Sequence, residues 1–189
     1  MTLKPDKALD DYIIAASRIG DKAALDQLVR RWQPRLIAHA YRMIGDSELA
    51  KDVTQDAWVD IIRSLKRLQE TRAFPAWAFR IVSRRSADVI KKRQSVRSLK
   101  SALDGEPKDK NEAQRRTEAM ADRSSLANAL ALLPNEQRVV MALFYLEEFT
   151  VSEVAHSLEI PVGTVKTRLM HGRKKMRSAL ETKGDQTNV

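Results

Sequence analysis

Between Gly163 and Arg177 the chain places Lys166, Arg168, Arg173, Lys174, Lys175 and Arg177, with no acid among them. Side chains of this type bind anions, and a row of them on one helix suits the phosphates of a nucleic acid. Just upstream, Thr150 and Glu153 in "TVSE" have capping-box spacing and start a short helix, which ends near Leu158 at the turn "EIPVG". Short helix, tight turn and longer basic helix form the helix-turn-helix pattern. On the longer helix Val165, Leu169, Met176 and Leu180 make one apolar stripe. At about 100° per residue, Thr167, Met170, His171, Lys174 and Arg177 fall on the opposite face, with Lys166, Arg168 and Arg173 on the flanks. Outward residues near the N-terminal half would reach base edges, and the later basic ones phosphates. Val154, Ala155, Leu158 and Ile160 are expected to pack one side of the turn. A solvated amphipathic helix would also carry such charge, but cap, small Ala155, turn and basic helix in this order favour duplex DNA.

Two other helical stretches hold chemistry of opposite sign. Glu48, Asp52, Asp56 and Asp60 recur every four residues, beside an apolar ridge of Leu49, Val53, Ala57, Ile61 and Leu65. Like charges at that spacing repel, so the row reads either as a plain exposed face or as a surface for a basic protein. Further on, Arg80, Arg84, Arg85, Lys91, Lys92 and Arg93 accompany the single acid Asp88, with Phe74, Trp77 and Phe79 at the start. Basic groups interleaved with aromatics bind single-stranded nucleic acid through phosphates and stacking. The same aromatics also suit a core, and both readings stand on sequence. Metal binding is not expected: cysteine is absent, and His39, His156 and His171 lack ligand spacing. Neither a carboxylate cluster, a nucleophile arrangement nor a phosphate-cradling glycine loop supports an enzyme or a cofactor.

The elements that must hold these residues are helical. Aromatics are 5% of the 189 residues and glycines number six, which disfavours a β-rich fold, while 43% apolar residues suffice for a packed core. Helices are expected at Leu9–Ile19, stopped by Gly20, and at Lys22–Trp32, capped by Asp21 and interrupted by Pro34. Others follow at Arg35–Ile44, stopped by Gly45, at Ser47–Leu68, capped by Asp46, and from Pro75 to Arg93. Then "SALDGEPKDKNEAQRR" has little to bury and reads as a flexible linker. Helices return at Ser124–Leu133, Pro134–Leu146, the short capped helix and the basic one. The expected organisation is all-α: a domain at 1–94, a linker at 95–122 and a domain at 123–189. No apolar run reaches membrane-spanning length, and Met1–Asp11 has no signal-like stretch, so a cytoplasmic protein is expected. The net charge of +9 agrees with a polyanionic partner.

These residues together resemble a family. "GDSELAKDVTQDAW" is similar to region 2 of the bacterial sigma factors of the extracytoplasmic-function group (group IV of the sigma-70 class), with Asp46, Ala50, Asp52, Gln55, Asp56 and Trp58 in matching places. "AFPAWAFRIVSRRSADVIKKR" resembles the segment that follows, and "LPNEQR" with "IPVGTVKTRL" resembles region 4. The resemblance covers about residues 22–93 and 124–180. It implies a non-enzymatic factor that binds core RNA polymerase, recognises −35 and −10 promoter elements and promotes DNA melting.

Carried onto this chain, the resemblance assigns Thr164, Lys166, Thr167, Arg168, Met170, His171, Arg173 and Lys174 to the −35 duplex. It assigns Arg72, Phe74, Trp77, Arg80, Arg84, Arg85 and Lys91 to the −10 element, with "KRLQETRAF" as the loop receiving a flipped base. Glu48, Asp52, Gln55 and Asp56 would meet the β′ clamp helices, and Leu143, Leu146 and Phe149 the β flap. An anti-sigma factor is a further implied partner, and membrane insertion is not expected. The chain departs from the family at Ala78 and Arg84, where Leu and Asn are common, and at His171-Gly172, where Arg-Ala is usual. With the chain ending soon after region 4, no further regulatory domain is expected. The rival reading is a helix-turn-helix regulator of the LuxR type, which would leave the acidic and basic helices of the first half without a role.

Overall fold

Local capping chemistry sets several helix ends. The computed structural model describes residues 7–104, 130 and 132–184, and among these every regular element is helical, with no strand. Helix α1 (Lys7–Arg18) ends where Gly20 takes a left-handed φ of 98°. Asp21 Oδ1 then accepts from the amides of Ala23 and Ala24 at 2.8 and 3.0 Å, opening α2 (Lys22–Ile44). Gly45, at φ 79°, closes α2 by donating its N–H to Tyr41 O. Asp46 caps α3 (Ser47–Ser64) through the Leu49 amide, and 3₁₀ turns at Leu65–Arg67 and Thr71–Ala73 lead to α4 (Phe74–Asp104). Helices α5 (Asn135–Tyr145), α6 (Val151–Leu158) and α7 (Val162–Gly184) follow. The chain divides into two compact units, Met1–Ser86 with His156–Leu158 and Ala87–Ala155 with Glu159–Val189.

Two expectations about helix ends are corrected. Pro34 does not interrupt α2, which runs through it. A proline inside a helix costs about 3 kcal/mol through one missing hydrogen bond and a ring clash. Leu28, Trp32 and Leu36, on both sides of it, are completely or almost completely buried, and each contributes about 1.5–3 kcal/mol or more. Core packing outweighs the break, and Pro34 itself faces solvent. Nor does α4 stop at Arg93; it continues to Asp104. From Ala76 to Asp104 there is neither Gly nor Pro, and Ser95 and Ser98 donate their hydroxyls back to Lys91 O and Gln94 O. Gly105 and Pro107 come only later. The rest of the expected linker, from 105 to 122, and most of the expected helix at Ser124–Leu133 lie outside the described residues.

The core of the first unit joins Ile13 and Ile14 of α1, Leu28, Trp32, Leu36 and Ala40 of α2, Val53, Ala57 and Ile61 of α3, and Phe74, Phe79 and Val82 of α4. Asp10, almost buried, ties α1 to α2 through Arg31 Nε at 2.8 Å. Deeper still lies His39, with no exposed surface. Its Nε2 shares a hydrogen bond with Ser83 Oγ at 2.8 Å, and its ring meets Phe79 edge-on at 4.9 Å. Burial, reinforced by the charge of Arg42, lowers its pKa from 6.5 to about 3, so the imidazole is neutral in the fold.

The linkage has a definite sign. Between pH 3 and 6.5 the unfolded chain binds a proton at position 39 that the folded chain refuses, so this contribution is present above about pH 6.5 and fades on acidification. Lowering the pH from 7 to 5.5 is expected to cost about 1 kcal/mol at this residue. Urea unfolding of the wild type and His39→Gln at both pH values checks it: the variant should lose correspondingly less stability over that interval.

Candidate nucleic-acid interface

The capping box expected at α6 is formed in both directions. Glu153 N–H donates to Thr150 Oγ1 at 3.2 Å, and Thr150 N–H to Glu153 Oε2 at 2.7 Å. Non-glycine residues in left-handed conformation bound this helix, Glu148 at φ 57° before it and Glu159 at φ 55° after it. The turn itself closes with Ile160 N–H on Ala155 O, and α7 begins with Val165 N–H on Pro161 O. Sequence reading placed the turn correctly but did not identify Glu159 as its left-handed residue.

Helix α7 buries Val165 and Leu169 completely or nearly so, Gly172 as well, and Met176 partly. The Leu180 side chain lies outside the described residues. On the opposite face Lys166, Thr167, Met170, His171, Lys174 and Arg177 are exposed, Met170 by 58%, while Thr164 is half-buried. Thr167 donates its hydroxyl to Gly163 O at 3.0 Å, which leaves its methyl group and oxygen lone pairs to meet a base edge. Two flanking cations have partners on α5. Arg168 Nη2 lies 2.6 Å from Glu136 Oε2, and Arg173 Nε donates to Tyr145 Oη at 2.8 Å. The Arg173 guanidinium also lies 5.8 Å from the ring centres of both Phe144 and Tyr145. Tyr145, a neighbour of the basic face, was missed from sequence because the pairing spans 28 positions.

In the first unit the acidic row of α3 lies at the surface. Glu48, Asp52, Gln55 and Asp56 are exposed, and Lys51 bridges Glu48 at 2.8 Å. Val59 and Ile62 are also exposed, and helical spacing puts them on the face of Asp52 and Gln55. They were overlooked because an apolar pair on a predicted helix suggests core. Along α4, Trp77, Arg80 and Arg84 follow helical spacing on one face, and Lys91 continues it in sequence. Arg72 is exposed and lies 3.8 Å from Asp11.

Several expected contacts are corrected by burial or pairing. Phe74 has 0% exposure and packs edge-on against Trp32 at 5.2 Å, with Trp77 at 6.0 Å. It belongs to the core, where an aromatic ring contributes most, and supports Trp77 from beneath. Leu143, also fully buried, and Phe149, 5% exposed, are likewise core residues; Phe149 N–H donates to Leu143 O. Of that apolar trio only Leu146 offers substantial surface. Arg85 turns from the α4 basic face toward α3. Its Nε and Nη2 reach Asp60 Oδ2 at 2.8 and 2.6 Å, and its Nη1 reaches Asp56 at 3.5 Å. The acidic row is thus partly neutralised from within the unit.

With this geometry in place, comparison with known proteins is specific. Residues 28–96 match the model of Sigma-70 region 2, and residues 123–176 that of Sigma-70, region 4. The chain is 30% identical over 174 residues to the ECF RNA polymerase sigma factor SigE of Mycolicibacterium smegmatis, covering 89% of this chain and 67% of that protein. Its fold is similar to CnrH in complex with the cytosolic domain of CnrY, with TM-score 0.62 and 25% identity over 92% of this chain and 98% of the other. It is also similar to the sigma factor RpoE in complex with the anti-sigma factor NepR from Bartonella quintana, with TM-score 0.59 and 20% identity over 83% and 96% of the two chains. A LuxR-type regulator is not favoured, since the first half matches region 2 as the second matches region 4. The chain belongs to the extracytoplasmic-function sigma factors of the sigma-70 family.

Proposed function

We propose that this sigma factor, of group IV, binds core RNA polymerase in the cytoplasm, reads the −35 duplex with α7 and helps to open the −10 element with α4. The observation that carries the reading is the exposed face of Thr167, Met170, His171 and Lys174 on a capped helix-turn-helix, in a chain that also holds an acidic α3 and a basic α4. No helix among the described residues is long and apolar enough to cross a membrane.

Lys166, Thr167, Met170 and His171, with Thr164 at the helix start, meet −35 bases. Lys174 meets phosphate, joined by Arg173 held against Tyr145 and by Arg168 once it exchanges Glu136 for DNA. On α4, Trp77 stacks on an opened base while Arg72, Arg80, Arg84 and Lys91 hold the strand. Glu48, Asp52, Gln55 and Asp56, extended by Val59 and Ile62, dock on the β′ clamp helices, and Leu146 on the β flap. Arg85 acts by steadying Asp56 and Asp60. The relative RpoE is bound by the anti-sigma factor NepR, and by analogy this chain is restrained by an anti-sigma factor of its own.

The purified chain with core polymerase is expected to start transcription selectively on a subset of genomic promoters. Absence of both selective initiation and core binding would overturn the reading. Asp56→Lys sets like charge against a basic partner and should weaken core binding about 10- to 100-fold, with the helical fold retained by circular dichroism despite the lost contact to Arg85; unaltered affinity would remove the acidic row from the interface. On promoter DNA, Thr167→Val should reorder preference among −35 sequences, whereas Lys174→Ala should weaken all of them and reduce the salt slope by about 1. An equal, uniform loss in both variants would defeat this division of labour.

A further inference from the structure

A Cβ at position 172 would fall 2.9 Å from Met141 Cγ and 3.0 Å from Met141 Sδ, with Leu133 Cδ1 at 3.8 Å. Carbon atoms in good contact stand about 3.5–4.0 Å apart. At this point α7 therefore lies closer to α5 than a residue with a Cβ permits without a shift. Met141 has little room to yield: it is 2% exposed, and its neighbours Val140, Ala142 and Leu143 are buried too. The crowded Cγ is also close to the main chain, away from the mobile end of the side chain. On local grounds glycine is a poor choice here, costing about 1 kcal/mol relative to alanine inside a helix.

Position 172 falls within the buried stripe, between Leu169 and Met176. His171 next to it and Lys174 two residues on are exposed, and with Lys175 they line an open groove walled by Leu133 and Gln137. Seating and projection are thus set within one turn of helix. We propose that Gly172 is a specificity-determining positioning residue: its missing Cβ seats α7 on Met141 and sets how deeply His171 and Met170 reach toward the −35 bases. The inference rests on the −35 reading above. Relieving the contact requires a displacement of roughly 0.6–1.1 Å. Hydrogen bonds to base edges span only about 2.7–3.2 Å, so such a shift breaks them. Lysines reach phosphates on long flexible stems and follow the shift, so selectivity falls while general affinity is largely kept.

The test uses the full chain assembled with core polymerase, on promoter fragments carrying the preferred −35 element or single base changes in it. Gly172→Ala should lower the ratio of preferred to altered binding about tenfold, the discrimination one base pair ordinarily supplies, with the salt slope retained. Adding Met141→Ala, which vacates the space the new methyl group needs, should restore most of the ratio. An unchanged ratio in Gly172→Ala, or a flattened ratio that persists in the double variant, overturns the proposal. If circular dichroism shows the single variant unfolded, the folded double variant decides by the same ratio. A wild-type holoenzyme indifferent to the −35 sequence would instead overturn the parent reading.

Discussion

Charge of one sign can be gathered on a helix only if solvent, a partner or an internal counter-charge answers it, and the architecture follows from that constraint. The acids of α3 recur every four residues and would repel one another unaided. Arg85 answers the lower end of the row by bonding Asp60 and reaching Asp56, while Lys51 answers Glu48. In the second unit Glu136 of α5 answers Arg168 of α7 with charge, while the neutral hydroxyl of Tyr145 accepts a hydrogen bond from Arg173. Asp52 on α3 and Lys166 and Lys174 on α7 lie at the surface. Exposed pairs of this kind add little stability, commonly about 0–1 kcal/mol. Their value lies in fixing where long side chains point.

The aromatic residues obey a complementary rule. Phe74 and Trp77 are three residues apart, yet one is sealed in the core and the other reaches the surface. Phe74 fills the space beneath Trp32 of α2, so the first turn of α4 is anchored and Trp77 is presented from a rigid base. Leu143 and Leu146 divide the same way at the end of α5. In each pair the buried member holds, and the other, half-buried Trp77 or exposed Leu146, has surface left to touch.

This division marks what sequence alone made legible. Caps at Asp21, Asp46 and Thr150 and stops at Gly20 and Gly45 were readable because their partners lie within four residues. The two helical domains and the exposed face of α7 were readable from periodicity for the same local reason. Pro34 misled because its cost is local while the packing of Leu28, Trp32 and Leu36 that outweighs it is tertiary. Arg85 looked like one more cation of a basic run until α3 was placed beside it, 25 positions away in sequence. Gly172 carried a usable signal, since the interval between Leu169 and Met176 requires a buried residue there. Only the approach of Met141 explains why that residue is glycine.

The left-handed residues bounding α6 have a consequence for binding kinetics. Glu148 and Glu159 each adopt a conformation that costs an ordinary side chain about 1–2 kcal/mol. That strain is borne in the folding equilibrium, before any DNA is present, and the capping box holds α6 between the two bends. A helix-turn-helix already set in this way has little ordering to complete when it meets a duplex. Long-range attraction between the basic helix and the polyanion then raises its association rate, which falls as ionic strength rises.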